Sequence, residues 1–143
     1  MAIILDHTIV PARDKVASAK FFAELFGLSY DGPVGPFAPV RINDSLTMDF
    51  MDFEDGGKGT EVHHYAFHVS EAEFDAIFNR VKERGLTYGS GPFSQSDMRV
   101  GEFYGGRTAY FHELNGHLLE IRTNTSAQDI AEMRRGAAPS VRA

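Results

Sequence analysis

His7 and His64 open two stretches of this chain that run in parallel, and each stretch later carries a strand carboxylate, Asp49 in the first and Glu120 in the second. Neutral imidazole nitrogens and carboxylate oxygens are good ligands for divalent first-row ions. Two histidines and one acid leave coordination positions open for water or substrate, and an ion with an open position polarises an oxygen or lowers the pKa of a bound water. His7, His64 and Glu120 are thus the candidate metal ligands, with Asp49 a candidate fourth. Each has a plainer reading. A lone strand histidine is more often structural or solvent-facing, and an acid between apolar residues can simply occupy the wet face of a half-exposed strand. The repeat shifts the balance, because His7 and His64 hold equivalent places by a criterion that does not use them.

That criterion lies in the elements that must position these residues. Leu5-Asp6-His7-Thr8-Ile9-Val10 leads into a helix ending at Gly27-Leu28, and His64-Tyr65-Ala66-Phe67-His68-Val69 into one ending at Gly85-Leu86. The two histidines are 57 residues apart and the two glycines 58. In the first helix, about 15–26, Val16, Ala19, Phe22, Ala23 and Phe26 mark an apolar face, and Gly27 supplies a left-handed stop. In the second, Ser70 and Glu73 form a capping box ahead of the stripe Phe74, Ile77, Phe78 and Val81.

Residues 31–39, rich in Gly and Pro, cannot form an inner strand. Strands are predicted near 40–42 and 46–53 around an Asn43-Asp44 turn, and 54–60 is the link between the halves. In the second half a polar loop over 94–107 precedes strands at 108–111 and 117–123, joined at Asn115-Gly116. Asp49 and Glu120 are 71 residues apart, so the second copy is 14 longer than the histidine offset. The extra length falls in the 94–107 loop, and long irregular loops are often functional. Ser126 is a candidate cap for a short helix to Arg135, with a frayed tail after it.

Strand alternation sorts the faces. His64, Ala66 and His68 share one face, and Tyr65, Phe67 and Val69 pack beneath the helices. Leu118, Glu120 and Arg122 share a face, as do Thr47, Asp49 and Met51. Each half therefore offers one histidine and one carboxylate on the sheet face its helix does not cover. His63 points away from His64, and His112 and His117, flanking a turn, are expected in solvent.

Composition narrows the function. A chain of 143 residues can bury a core, and 43% hydrophobic with 12% aromatic residues excludes a disordered chain. The formal charge of -6 argues against nucleic acid. The absence of cysteine removes thiolate ligands and nucleophiles. No basic stretch precedes the short N-terminal apolar run, and no run approaches the roughly 20 residues of a membrane helix. A soluble, cytoplasmic protein with no membrane partner is expected.

These stretches, together with Phe111-His112-Glu113-Leu114-Asn115-Gly116-His117-Leu118-Leu119-Glu120-Ile121, resemble the vicinal oxygen chelate superfamily, the glyoxalase/bleomycin resistance protein/dioxygenase group, over residues 3–123. The resemblance implies an α+β fold in which two paired βαβββ modules form a cupped, open mixed β-barrel. It also implies one domain over 1–125, with modules at about 1–55 and 60–123 and a short helix and flexible tail over 126–143. The implied cofactor is one divalent ion, Zn, Fe(II), Mn, Co or Ni, held by His7, His64 and Glu120, and the implied assembly is a homodimer. In glyoxalase I a Glu stands where this chain has the shorter Asp49.

The first expectation is therefore a metal-dependent enzyme acting on a small oxygen-chelating substrate by lyase/isomerase or dioxygenase-like chemistry. His68 is the candidate base, with Asp49 assisting, and Tyr110 and Arg107 orient the substrate. The alternative is a binding module that sequesters a drug or metabolite without turnover, its aromatic wall supplied by Phe93, Phe103 and Tyr104.

Overall fold

The computed structural model describes residues 3–53 and 61–123, together with Ala131 and Arg135. The expected link over 54–60 lies outside the described residues. So does the C-terminal segment, apart from Ala131 and Arg135, which are helical. The chain divides into two compact units. One comprises Met1–His63 with Glu113–His117, and the other His64–His112 with Leu118–Ala143.

The first unit is built from β1 (His7–Ala12), α1 (Lys15–Phe26), β2 (Phe37–Arg41) and β3 (Thr47–Asp52). Its sheet order is β1-β3-β2, with β1 parallel and β2 antiparallel to the central β3. Asp14 caps α1 by accepting from the Ala17 amide, and Gly27 ends it at φ 72°. The buried face of α1 runs through Ala19, Phe22, Ala23 and Leu25, one position round from the expected stripe: Leu25 is inside, while Val16 and Phe26 are half-buried. Phe22 packs on Phe50 with ring centroids 5.9 Å apart. Proline restricts pairing in the Gly/Pro stretch after the helix. Ahead of β2, residues 31–36 form only an isolated bridge, Val34 to Phe37, so the unit has two strands rather than three after α1 among the described residues. Pro39 is accommodated because β2 is an edge strand.

The second unit holds β4 (His64–His68), α2 (Glu71–Glu83), β5 (Tyr88–Gly89), β6 (Gly101–Phe103), β7 (Gly106–His112) and β8 (Leu118–Arg122). Its sheet order is β4-β8-β7-β5, with β6 also paired to β7. Both halves of the capping box form: Glu73 N–H donates to Ser70 Oγ at 3.1 Å, and Ser70 N–H to Glu73 Oε1 at 2.8 Å. Phe74, Ile77 and Val81 are buried as expected.

The stretch expected to be an irregular loop over 94–107 is different. It contains β6, which turns back on β7 through Tyr104 and Gly105, at φ 48° and 83°. Two positive φ angles in a two-residue connection give a tight hairpin. Gly89 and Gly101 let the backbone cross closely, since a Cβ would lie 2.0 Å from Ser94 O and 2.1 Å from Ser90 O respectively.

A second correction concerns His117. Expected in solvent, it is fully buried, and both ring nitrogens are engaged. Its Nε2–H donates to Pro11 O at 2.7 Å, while Nδ1 accepts from the His63 amide at 2.9 Å. A carbonyl only accepts and an amide only donates, so one tautomer is fixed. The neighbouring Glu113 carboxylate is also buried and accepts from Asn115 N, Asn115 Nδ2 and His117 N at 2.6, 2.8 and 3.1 Å. Asn115 in turn donates to Ser18 Oγ at 2.9 Å and accepts from the Arg13 amide at 2.9 Å. These bonds attach the turn to the first unit.

Candidate functional site

The parallel register of β4 with β8 decides which side chains meet in the second unit. His64 lies opposite Leu118, Ala66 opposite Glu120, and His68 opposite Arg122. From the other side of β8, β7 brings Tyr110 opposite Glu120 and Thr108 opposite Arg122. Side chains at paired positions share a face, so His64, His68, Glu120, Arg122 and Tyr110 lie on one side of the sheet.

His64 Nδ1 is 3.0 Å from Leu118 O, and His64 Nε2 is 3.1 Å from Glu120 Oε1. The carbonyl accepts only, so Nδ1 donates to it and the ring is held with Nε2 directed at a carboxylate oxygen. A proton or a cation between Nε2 and Oε1 accounts for this 3.1 Å approach. A backbone carbonyl fixing the far nitrogen of a histidine is also the usual support of a metal-ligating imidazole. His64 and Glu120 therefore fit a divalent ion.

Glu120 is buried, with 7% of its side chain exposed. Tyr110, at 6%, is held well above the usual phenol range, chiefly by burial and then by the charge and hydrogen bond of Glu120. Its hydroxyl stays protonated and serves as a donor. The Tyr110 and His64 rings stack at 6.1 Å. His68 is exposed at the end of β4. The Arg122 guanidinium lies 4.2 Å from the Phe103 ring centroid, and its Nε is 4.0 Å from Glu120 Oε2.

In the first unit the same registration recurs with different side chains. His7 lies opposite Thr47 and Ile9 opposite Asp49. His7 is exposed, and its Nδ1 is 2.8 Å from Asp6 Oδ2. Its pKa is raised, first by that hydrogen bond and also by the charges of Asp6 and Asp49. Among the described residues, no group of three His, Cys, Asp or Glu side chains is gathered to hold a metal. The structure thus brings His64 and Glu120 together, while His7 and Asp49 share a sheet face in the other unit.

Arg107, expected to orient substrate, is instead engaged by α2. It donates to Glu71 Oε1 from Nε at 2.9 Å and to Asp75 Oδ1 from Nη1 at 2.9 Å, and it lies 4.2 Å over the Phe74 ring. The expected aromatic wall is partly formed: Phe103 and Tyr104 meet edge to face at 4.6 Å, and Phe93 is exposed. Strand alternation groups Arg122 with Glu120 without assigning it a role. A cation two residues from a buried acid on one strand face was the available signal.

No protein-family profile matches the chain. Among curated proteins it is 32% identical over 74 residues to Metallothiol transferase FosB of Shouchella clausii (strain KSM-K16), a match spanning 52% of this chain and 47% of that protein, just under half its length. It is 26% identical over 133 residues to Glutathione transferase FosA of Serratia marcescens, covering 91% of this chain and 87% of the relative. Among solved structures, Oxidase ChaP-H2 superposes with a TM-score of 0.82 at 43% identity, covering 90% of this chain and 99% of that one. A glyoxylase/bleomycin resistance protein/dioxygenase domain from Frankia sp. EAN1pec shares the fold, with a TM-score of 0.66 at 16% identity over 87% of this chain and 99% of that one. With a relative at 43% identity matched over almost its whole length, and the α+β architecture of the group, the chain belongs to the vicinal oxygen chelate superfamily, the glyoxalase/bleomycin resistance protein/dioxygenase family.

Proposed function

We propose that this chain is a divalent-metal-dependent enzyme that oxidises a small substrate, bound through one or two oxygens, with dioxygen as the electron acceptor. His64 and Glu120 supply two ligands from one sheet face, and His7 supplies the third by its equivalent place in the repeat. One observation carries this reading: His64 Nε2, its partner nitrogen held by Leu118 O, points at Glu120 Oε1 across 3.1 Å. Oxidation is favoured over thiol transfer and lyase chemistry because the relatives named as oxidases share 43% and 40% identity with this chain, whereas the full-length match to a transferase stands at 26%.

When bound, the ion would supply Lewis acidity toward the substrate oxygens. The chain's own groups do the rest. Tyr110 keeps its phenolic proton and holds the Glu120 carboxylate in place. His68, exposed on the same face as His64, takes or returns a substrate proton at its ring nitrogen. Asp49 is proposed as an auxiliary acid beside His7 rather than as a ligand.

Elemental analysis of untagged protein tests the reading. About one Zn, Fe(II), Mn, Co or Ni per chain is expected, lost in both His64→Ala and Glu120→Ala. A purified protein with no metal that binds an aromatic ligand tightly would instead favour sequestration. Mixing His7→Ala with His64→Ala chains shows whether a homodimer shares the site: metal uptake restored in the mixture places His7 on the partner.

A further inference from the structure

Arg122 carries an unexplained feature. Its Nε and Nη2 are both buried and have no hydrogen-bond partner among the described residues. These two atoms form the side-on edge of the guanidinium, the edge that matches the two oxygens of a carboxylate. An unpaired buried donor costs about 1–3 kcal/mol, so two on one side chain call for a physical reason.

The surroundings supply it. The guanidinium is fixed in orientation by the Phe103 ring, 4.2 Å from its carbon. The acid oxygen it faces is Glu120 Oε2, 4.0 Å from Nε. The other oxygen, Oε1, is the one turned to His64 Nε2. The two oxygens of Glu120 thus have different neighbours, a guanidinium on one side and an imidazole nitrogen on the other.

We propose that Arg122 is a positioning residue that keeps Glu120 a one-oxygen metal ligand, holding Oε2 by charge so that only Oε1 is available to the ion. This rests on the proposed metal site. The first unit supports it by contrast. Asp49 stands where Glu120 stands, yet the residue two further along its strand is Met51, and its β2 neighbour is Pro39 where Glu120 has Tyr110. The charged and hydroxyl supports occur only beside the carboxylate that faces a histidine nitrogen.

Cobalt(II) added to metal-free protein tests the proposal by affinity and by visible absorption, whose intensity and band positions report coordination number. Arg122→Met keeps the stem on Phe103 and removes the charge. It should weaken Co(II) binding by about 10- to 100-fold and shift the spectrum toward higher coordination as Glu120 takes the ion with both oxygens. Arg122→Lys restores charge without the planar fork, and should recover affinity more than spectrum. Thermal melts confirm that each variant is folded, and if Arg122→Met does not fold, Arg122→Lys alone carries the spectral comparison. Arg122→Met with wild-type affinity and an unchanged spectrum, or Arg122→Lys with a wild-type spectrum where it is the only folded variant, overturns this proposal and leaves the metal site standing. Wild-type protein that takes up no cobalt overturns both.

Discussion

The two units place a histidine and an acid at matching register positions, but only one couples them. In the second, the Glu120 side chain reaches the His64 ring, is buried, and is flanked by Tyr110 and Arg122. In the first, Asp49 is one methylene shorter, and His7 turns its Nδ1 to Asp6 in solvent. One methylene does not explain the whole difference. A buried carboxylate is stable only with partners, and the first unit offers Asp49 a proline and a methionine where the second offers a phenol and a guanidinium. Duplicated backbones repeat the positions, and the local side chains decide which copy can keep a charge out of water.

The sharpest way to break this contrast is to exchange the acids' fates. Glu120→Ala should remove bound metal, whereas Asp49→Ala should leave the metal content at the wild-type level. Elemental analysis of the two variants side by side decides it, and equal loss in both would make the units equivalent after all.

A smaller but still large effect separates two acids on one hairpin. Glu113 accepts three N–H groups in the turn, so Glu113→Ala strands three buried donors and should cost about 2–4 kcal/mol of unfolding free energy. His117→Ala should cost a similar amount. Urea unfolding measures both, and metal content per folded chain should be unchanged in each.

The helices give a third comparison. Ser70→Ala breaks the reciprocal box of α2 and should cost about 1 kcal/mol, with Asp14→Ala in α1 costing about the same or less because that cap has no returning side chain. Thermal melts rank them.

The smallest effect is a pH dependence confined to α2. The Glu73 carboxyl is held below the ordinary glutamate value, first by the Ser70 backbone N–H and then by the Ser70 hydroxyl. A lowered folded pKa gives stability that is complete above the unfolded value and fades as pH falls through the folded one. Glu73→Gln should therefore differ from wild type near neutrality and converge with it in acid, in urea melts across a pH series.

Much of this was legible in the residues. Helix 15–26 and the capping box come from local patterns, and alternation alone put His64 and Glu120 on one face. The failures have a common cause. His117 reads as a turn residue in water because nothing nearby in sequence announces Pro11 O, its hydrogen-bond partner 106 positions away. The β6 strand was hidden because its turn uses Tyr104 with positive φ, where asparagine or glycine is the usual signal. Arg107 looked free for substrate because its partners, Glu71 and Asp75, belong to a helix more than 30 positions earlier.

The hydrogen bond from His64 Nδ1 to Leu118 O has a longer reach than its 3.0 Å suggests. Its acceptor is main chain, which amino-acid replacement does not delete. Sequence drift can therefore recolour everything around the ring while the same nitrogen keeps facing outward, so new chemistries can be tried at this rim without first relearning how to aim the histidine.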